Sequence, residues 1–469
     1  MNDLPTVRTP VAQLVAARAA TLARRVFRLE AEGSLRQQLV GGTIATAAIK
    51  AAGLAFSFII GVILARALGP KTFGVYAYAL AWVNLLALPA AAGLHTIVIR
   101  DIAAYHATKR WGLMRGLLVW ASRGILVFSF GMGSVAFVLA TTLVAHRDPD
   151  VITTLWISLP LVCFAALTRL RQGALQGLRH VALGQVPENV VEPIVFLALL
   201  GIAAVVAHRL SAETAMLFNV AATLVGFLAG TWLLVQLLPA DVKRAEPVYR
   251  QREWFVAALP LLALFAMNAF NQRIDTIILG ALKGSEPVGI YTVASRGADL
   301  LSFIYLAAHA VVSPTISKLY AEGRLGRLQR MITRSIRWIF GISLPVGIAL
   351  IIFGPWLLLI FGPGFVVARM ALAILSAGRL ANIALGWNLS ALMMTGFQRD
   401  AAVSTGITVV LHVLLSFTLI PRWGLEGAAA AAALSLAFWN LLMTWQLRAR
   451  TGLDSTILGL PRQRPDGIS

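Results

Sequence analysis

Polar side chains follow one another at helical spacing inside apolar segments of this chain. Between residues 181 and 207, the positions i, i+3, i+4 and i+7 hold Gln185, Glu188, Asn189 and Glu192, which therefore share one helix face. Pro187 should bend the helix and turn free backbone carbonyls towards this face. Carboxylates in such a place suit proton or sodium coupling, or pairing with a cation.

A second polar face lies in the sequence "NAFNQRIDTIIL". It comprises Asn268, Asn271, Gln272 and Asp275. When each residue advances 100°, Arg273 lies roughly 140° from Asn268. The shared face is expected to line an aqueous cavity, whereas Arg273 can instead brace a neighbouring helix.

Further charges fall in other apolar segments. Arg296 and Asp299 are one helical turn apart and can pair with each other, or Arg296 can reach Asp275. Arg379 lies in a later segment and Lys50 in the first one.

A charged group at the centre of a bilayer costs about 3 kcal/mol, so each of these groups should face a cavity or a partner. They can form structural ion pairs and hydrogen bonds between helices. Alternatively, they line a hydrated, slightly cationic cavity for an anionic headgroup, in which arginine grips phosphate oxygens and lysine acts as a point charge. The predicted cavity residues are Lys50, Asn268, Asn271, Arg273, Arg296 and Arg379. The carboxylates assigned to ion coupling or charge pairing are Glu188, Glu192, Asp275 and Asp299.

The composition places these residues in a membrane. Hydrophobic residues make up 58% of the chain, charged residues only 13%, and the mean hydropathy is +0.79; soluble domains are about one-quarter charged. The long apolar runs show no alternation, which excludes a β-barrel. With one cysteine, Cys163, the sequence has no Cys-rich metal motif. We expect no cofactor, no metal and no nucleic-acid partner.

The apolar runs predict an all-α integral membrane protein with about twelve transmembrane helices in two six-helix lobes. A basic cytoplasmic arm (1–39) precedes the N-terminal lobe (40–238), and a loop (239–255) leads to the C-terminal lobe (256–447) and a cytoplasmic tail (448–469). The arm can form an amphipathic helix on an anionic leaflet or remain solvated.

The distribution of basic residues supports this topology. Of the 40 Lys and Arg residues, 28 fall in the two termini and alternate loops, 7 in the other loops and 5 within the spans. Because cytoplasmic loops collect positive charge, both termini are predicted to be cytoplasmic.

The two halves also repeat each other at an offset of 215 residues. Gly74 aligns with Gly289, and Tyr76 aligns with Tyr291. Arg115 likewise aligns with Arg330. A repeat of six helices keeps its orientation, so the halves should be related by an axis along the membrane normal, as in alternating-access transporters.

Several ordered blocks carry a family resemblance. They are "LARALGPKTFGVYAYAL", "NQRIDTIILG", "VGIYTVASR", "SPTISKLYAEG", "IFGPGF" and "GLEGAAAAAALS". Together they resemble polysaccharide-transporter-type flippases of the multidrug/oligosaccharidyl-lipid/polysaccharide (MOP) exporter superfamily from about residue 40 to residue 447.

The resemblance implies two six-helix lobes around a V-shaped central cavity and the movement of polyprenyl-pyrophosphate-linked oligosaccharides from the cytoplasmic to the outer leaflet. It makes Arg273, Asp275 and Arg296 cavity candidates. Relatives often carry an acid near the end of the second span, where this chain has Ala91 and Ala92, so a coupling role for that acid does not transfer.

The leading hypothesis is therefore a flippase, not an enzyme, in a bacterial inner membrane, serving O-antigen, capsule or exopolysaccharide assembly beside a polymerase or other assembly proteins. A cation-coupled drug exporter would favour an acidic, aromatic cavity. A flippase for the peptidoglycan lipid precursor normally has two more helices. A membrane-embedded glycosyltransferase would be expected to have large outward loops or clustered catalytic acids with a metal.

Overall fold

The structure is a computed structural model that describes residues 35–143, 149–206 and 210–459. Most of the predicted basic arm and the last ten residues of the predicted tail lie outside these ranges. A backbone inside a bilayer must satisfy its own hydrogen bonds, and the described chain does so almost wholly with helices. No β-strand occurs in the described ranges.

The N-terminal lobe contains six helices. These are α1 (Leu35–Ala107), α2 (Trp111–Leu143), α3 (Pro149–Gly177), α4 (Val181–Val186), α5 (Glu192–Val206) and α6 (Ala212–Leu237). A π-helical turn, Pro187–Val191, joins α4 to α5 at the proline that the sequence expects to bend the helix.

The short helix α7 (Ala240–Arg244) leads to the C-terminal lobe. This lobe contains α8 (Gln251–Lys283), α9 (Ser285–Ala321), α10 (Leu325–Phe361), α11 (Arg369–Leu385), α12 (Asn388–Met394) and α13 (Gln398–Thr451). A 3-10 turn, Pro363–Ala368, precedes α11.

The two longest helices each contain a glycine in a left-handed conformation. Gly69 has φ 71° and Gly424 has φ 54°, a backbone that side-chain-bearing residues rarely adopt. Each glycine reverses the chain, dividing α1 into α1a (35–68) and α1b (70–107), and α13 into α13a (398–423) and α13b (425–451).

The described ranges contain nine helical stretches long and apolar enough to span a membrane. Two of these stretches, those that include α1 and α13, hold two crossings each. Helix α9 is not among the nine, but it is 37 residues long and also runs from one end of the bundle to the other. The fold therefore agrees with the expected twelve crossings.

The connections are shorter than the sequence suggests. The polar stretch 315–337 separates two apolar runs in the sequence, but in the structure one helix continues to Ala321 and the next begins at Leu325. In the predicted loop 239–255, α8 already begins at Gln251. Arginine, leucine and glutamine are good helix formers, so these helices continue beyond the apolar region instead of ending at its border.

The ends of the bundle differ in charge. We call the end with the α1–α2, α6–α8 and α9–α10 connections the basic end, because the cation-rich loops collect there, and the other end the opposite end. The largest buried apolar cluster contains residues of both lobes near the opposite end, among them Phe73, Tyr76, Leu279, Tyr291 and Phe361. The lobes are thus held together mainly at the opposite end.

Candidate functional site

Arg296 links the two lobes. On α9, it donates a hydrogen bond from Nη1 to the backbone oxygen of Ser57 on α1a, over 2.9 Å. Gly61 leaves the space that the guanidinium occupies, because a Cβ atom at this position would collide with Nη1. Arg296 and Ser57 each lie roughly a dozen residues from the turns at Gly284 and Gly69, or about 18 Å at 1.5 Å per residue. The contact therefore lies near the middle of a bilayer about 30 Å thick.

Lys50 lies on the same face of α1a as this contact. It precedes Ser57 by two helical turns and Gly61 by three, so the three residues align along the helix. Its side chain is exposed, about 10 Å nearer the basic end than Ser57. Lys50 and Arg296 thus occur in succession between the basic end and mid-membrane depth.

Arg273 provides a second positive charge near mid-membrane depth. Its Nε atom is buried and has no hydrogen-bond partner among the described residues. Its guanidinium also interacts electrostatically with that of Arg296. Two neighbouring cations with an unused buried donor are the arrangement that an anion would stabilise.

Arg379 is committed to an ion pair within the C-terminal lobe. Its Nη2 atom on α11 lies 2.7 Å from Oδ1 of Asp299 on α9. The two pairings of Arg296 considered from the sequence, with Asp299 or with Asp275, are not those of the structure. Helical spacing shows which residues share a face, but it does not show which neighbouring helix that face meets.

Asp275 is turned into the C-terminal lobe. It is buried, accepts a hydrogen bond from the Tyr291 hydroxyl and accepts another from the Thr276 backbone N–H at 2.8 Å. On the same face of α8, Asn271 Oδ1 lies 3.0 Å from Nδ1 of His412 on α13a. The sequence led us to expect that this part of the polar face lines an open cavity, but in the structure it packs against protein.

The other two residues of that face are more accessible. Gln272 is exposed, and Asn268, nearer the basic end, is half-buried. The face therefore divides along its length, with its buried part towards the opposite end.

The N-terminal lobe contains a polar cavity of about 130 Å³. Glu192 lines it and accepts a hydrogen bond from Thr223 Oγ1 at 2.6 Å. Glu188 also lines it and lies 3.7 Å from Arg169 Nη2 on α3. The volume has room for water beside two carboxylates. The structure thus brings together the two acids that the spacing placed on one face.

Two arginines of this lobe, Arg169 and Arg171, are not among the candidate residues selected from the sequence. Both lie within α3, which continues to Gly177. The Arg171 guanidinium stacks on the Phe227 ring at 4.1 Å and donates to Thr231 Oγ1 at 2.6 Å. The available signal was the absence of proline between Pro160 and Gly177, since a single glycine such as Gly173 is tolerated inside a helix.

The described ranges contain no group of three His, Cys, Asp or Glu residues that could hold a metal ion.

Comparison with known families gives two matches. Residues 39–320 match the profile of a family described as polysaccharide biosynthesis protein, and residues 260–418 match the MatE family.

Among individual relatives, the chain is 28% identical over 177 residues to the probable low-salt glycan biosynthesis flippase Agl15 of Haloferax volcanii, covering 37% of each chain. It is 25% identical over 226 residues to the capsular polysaccharide biosynthesis protein CapF of Staphylococcus aureus, covering 47% of this chain and 56% of CapF. It is 27% identical over 184 residues to the probable lipid II flippase MurJ of Rhizobium meliloti, covering 38% and 34%. The matches thus span between about a third and just over half of each relative.

Solved structures share the fold at low identity. An inward-facing multidrug resistance MATE family transporter of the MOP superfamily superposes with a TM-score of 0.69 at 15% identity, covering 87% of this chain and 98% of that one. The lipid II flippase MurJ in an inward closed conformation gives 0.64 at 11% identity, covering 87% of both chains. An outward-facing MATE family transporter gives 0.58 at 15% identity, covering 87% and 95%.

Proposed function

The chain belongs to the polysaccharide biosynthesis protein family within the MOP superfamily, and we propose that it is a flippase for a polyprenyl-pyrophosphate-linked oligosaccharide. The observation that carries this proposal is the position of Arg296, a cation near mid-membrane depth where the two lobes meet, with Arg273 close by. A pyrophosphate is the part of a lipid-linked saccharide that such a pair of guanidinium groups binds best.

In this mechanism the substrate enters from the basic end, which we assign to the cytoplasm together with both termini. Lys50 is the first cation met by an incoming headgroup and acts as a point charge. Arg296 and Arg273 follow about 10 Å deeper, in a less hydrated environment where their attraction for a phosphate is stronger.

Binding can then be coupled to movement of the lobes. Without substrate, the Arg296 guanidinium is hydrogen-bonded to the Ser57 carbonyl of the other lobe. A pyrophosphate competes with this neutral acceptor, because charge-assisted hydrogen bonds are roughly twice as strong. Its binding therefore releases α1a from α9 and favours the conformation in which the lobes separate at the opposite end.

The Glu188 and Glu192 cavity is the proposed coupling site for protons or sodium. It lies in the N-terminal lobe and Arg296 is not among the residues that line it, so it can change its charge without direct contact with the substrate. Arg169 beside Glu188 keeps the cavity from becoming strongly anionic.

The names of the relatives support a saccharide substrate, since Agl15 and CapF are named for glycan and capsular polysaccharide biosynthesis. We assign the substrate to O-antigen, capsule or exopolysaccharide assembly in a bacterial inner membrane, with a polymerase or another assembly protein as partner. The lipid II precursor is the second candidate substrate, favoured by the likeness to MurJ.

The test is translocation in proteoliposomes. The protein is reconstituted with a polyprenyl pyrophosphate that carries a fluorescent oligosaccharide, and a membrane-impermeant quencher reports the fraction in the outer leaflet. We expect translocation by the wild type and roughly tenfold or greater loss in Arg296→Ala. Arg123→Ala is the matched control, because Arg123 is an exposed arginine on a different helix of the other lobe, and it should retain activity.

Three further substrates distinguish the alternatives. A neutral polyprenyl glycan should be moved poorly, lipid II should compete only if the site accepts its shorter saccharide, and a cationic dye should not be exported. Dye export in the absence of translocation of any pyrophosphate lipid would show the proposal to be wrong.

A further inference from the structure

A row of arginines lies at the basic end of α10, well away from Arg296. The residues Arg327, Arg330, Arg334 and Arg337 fall within one face of the helix, and all four are exposed. Beside them is a groove of about 1110 Å³, bounded by α10 on one side and by the segment 451–459 on the other. We call it the α10 groove.

The depth of the α10 groove matches that of lipid headgroups. From Trp338 to Phe361 the helix is apolar, a length of about 36 Å that is enough to cross the hydrocarbon core. Along it, Trp338, Ile342 and Trp356 are 66%, 55% and 72% exposed, as expected of a lipid-facing helix. The arginines occupy the turns just before this stretch, and Trp338 lies at the border where tryptophan is enriched.

The α10 groove is cationic, and some of its guanidinium N–H groups make no hydrogen bond within the described ranges. Arg337 is fixed by hydrogen bonds to the carbonyl oxygens of Ile457 at 3.1 Å and Leu458 at 3.3 Å, which hold it at the wall. Within the described ranges Arg334 makes no hydrogen bond or ion pair. The nearby carboxylate of Asp454 is fully buried and bound by Arg448 at 2.7 Å, so it does not neutralise the groove.

The internal repeat shows what covers the corresponding surface in the other lobe. On α2, a Cβ atom at Gly112 or Gly116 would meet the backbone of Glu246 or Val248, and Arg115 donates to the carbonyl oxygens of Lys243 and Ala245 at 2.9 and 2.8 Å. Connecting chain therefore lies directly on α2.

The C-terminal lobe differs at the equivalent positions. At the offset of 215, Gly112 and Gly116 correspond to Arg327 and Met331, so α10 carries long side chains where α2 has none. The connecting chain thus lies directly on the glycines of α2, whereas a groove remains between the arginines of α10 and the segment 451–459.

We propose that the α10 groove binds the phosphate headgroup of an anionic phospholipid from the leaflet at the basic end. Arg330 and Arg334 provide the phosphate donors, Arg337 forms the wall, and Trp338 and Ile342 contact the upper acyl chain. A juxtamembrane arginine cluster of this kind attracts anionic lipid. Residues 460–469 are the other candidate occupant, but they carry Arg462 and Arg464 against one acid, Asp466, and the groove would repel them.

The test uses the purified full-length protein. Phosphatidylglycerol and phosphatidylcholine are added in turn to detergent-solubilised protein, and the thermal midpoint and the number of retained lipids in native mass spectrometry are measured. We expect phosphatidylglycerol alone to raise the midpoint and to be retained. Arg330→Gln with Arg334→Gln should weaken its apparent affinity by about tenfold or more, while glycerol phosphate in solution should have no effect at the same concentration.

Two controls make the result decisive. Arg244→Gln with Arg252→Gln removes the same charge from exposed positions at the same end. This variant should keep the effect of phosphatidylglycerol on the thermal midpoint. If both double variants lose that effect equally, the lipid is attracted to the surface in general and the proposal is overturned. A chain ending at Gly459 should also keep the effect, whereas loss on truncation alone would assign the groove to the tail. Neither outcome depends on flippase activity.

Discussion

Gly74 on α1b and Gly289 on α9, which occupy equivalent positions of the two repeats, contact each other across the lobe interface. A Cβ atom built on Gly289 would lie 2.8 Å from the Gly74 backbone nitrogen, and it would also collide with the carbonyl oxygen of Pro70. A Cβ atom on Gly74 would in turn collide with the carbonyl oxygen of Ser285, the repeat equivalent of Pro70. The contact is self-complementary, as at a two-fold axis, and it closes the opposite end.

The first prediction concerns this glycine contact. Gly74→Ala and Gly289→Ala should each weaken the closed opposite end, because the new methyl group meets backbone that cannot move aside as a side chain can. Overpacking of this kind costs about 1–3 kcal/mol. In a Cys163→Ser background, a cysteine replacing the buried Ser285 should react faster with an impermeant maleimide when Gly74 is alanine.

Gly131→Ala is the matched control, since a Cβ atom on Gly131 would meet nothing within 4 Å. This variant should leave both labelling and translocation unchanged. Unchanged labelling in Gly74→Ala as well would mean that the lobes do not close through the glycine contact.

The second prediction uses a neighbouring contact between the lobes. A Cβ atom on Gly364, in the turn before α11, would lie 2.8 Å from Cγ of Pro70. With Cys163 replaced by serine, Pro70→Cys and Gly364→Cys should form a disulfide under mild oxidation, because the new sulfur atoms can approach bonding distance. The cross-link should stop translocation, and a reductant should restore it.

Either single cysteine variant serves as the control, and its translocation should be insensitive to the oxidant. If the cross-linked protein translocates at the normal rate, the lobes need not separate at this end. That outcome would contradict the alternating-access mechanism proposed above.

Much of this arrangement could be predicted from the sequence, because it depends on periodicity. The offset of 215 residues identified Gly74 and Gly289 as equivalents, and helical spacing grouped Glu188 with Glu192. The contact between the two glycines could not be predicted, since a repeat specifies equivalence but not where the axis passes. Likewise, the charge of Arg296 indicated an unusual role, but its acceptor, the Ser57 carbonyl, is a backbone atom that every residue possesses and no sequence pattern marks.

The third prediction separates structural from functional charges. Arg379→Ala should lower the thermal midpoint, because it leaves Asp299 at mid-membrane depth without its partner. The double variant Arg379→Ala with Asp299→Ala should recover much of the loss, since neither charge then lacks a partner. A double-mutant cycle on the thermal unfolding of the purified protein measures this coupling.

The translocation rates of the same variants distinguish a structural from a functional role of the Arg379–Asp299 pair. If the pair only joins α9 to α11, the double variant should also recover activity. A double variant that is stable but inactive would instead make Arg379 a substrate ligand, as the sequence suggested.

The last prediction concerns Glu192 and ion coupling. Glu192→Gln keeps the side-chain shape and can still accept the hydrogen bond from Thr223, but an amide cannot exchange a proton in this pH range. We expect the variant to fold with nearly wild-type stability and to translocate at a rate that no longer responds to an imposed pH gradient.

Thr223→Val is the companion variant. It removes the hydrogen bond, lowers the free energy of unfolding by roughly 1 kcal/mol, and should keep the gradient response because the carboxylate remains. The initial rate in proteoliposomes, measured with a pH gradient, a sodium gradient or neither, identifies the ion. If the Glu192→Gln protein responds to both gradients like the wild type, the carboxylate of Glu192 serves only as a structural partner of Thr223.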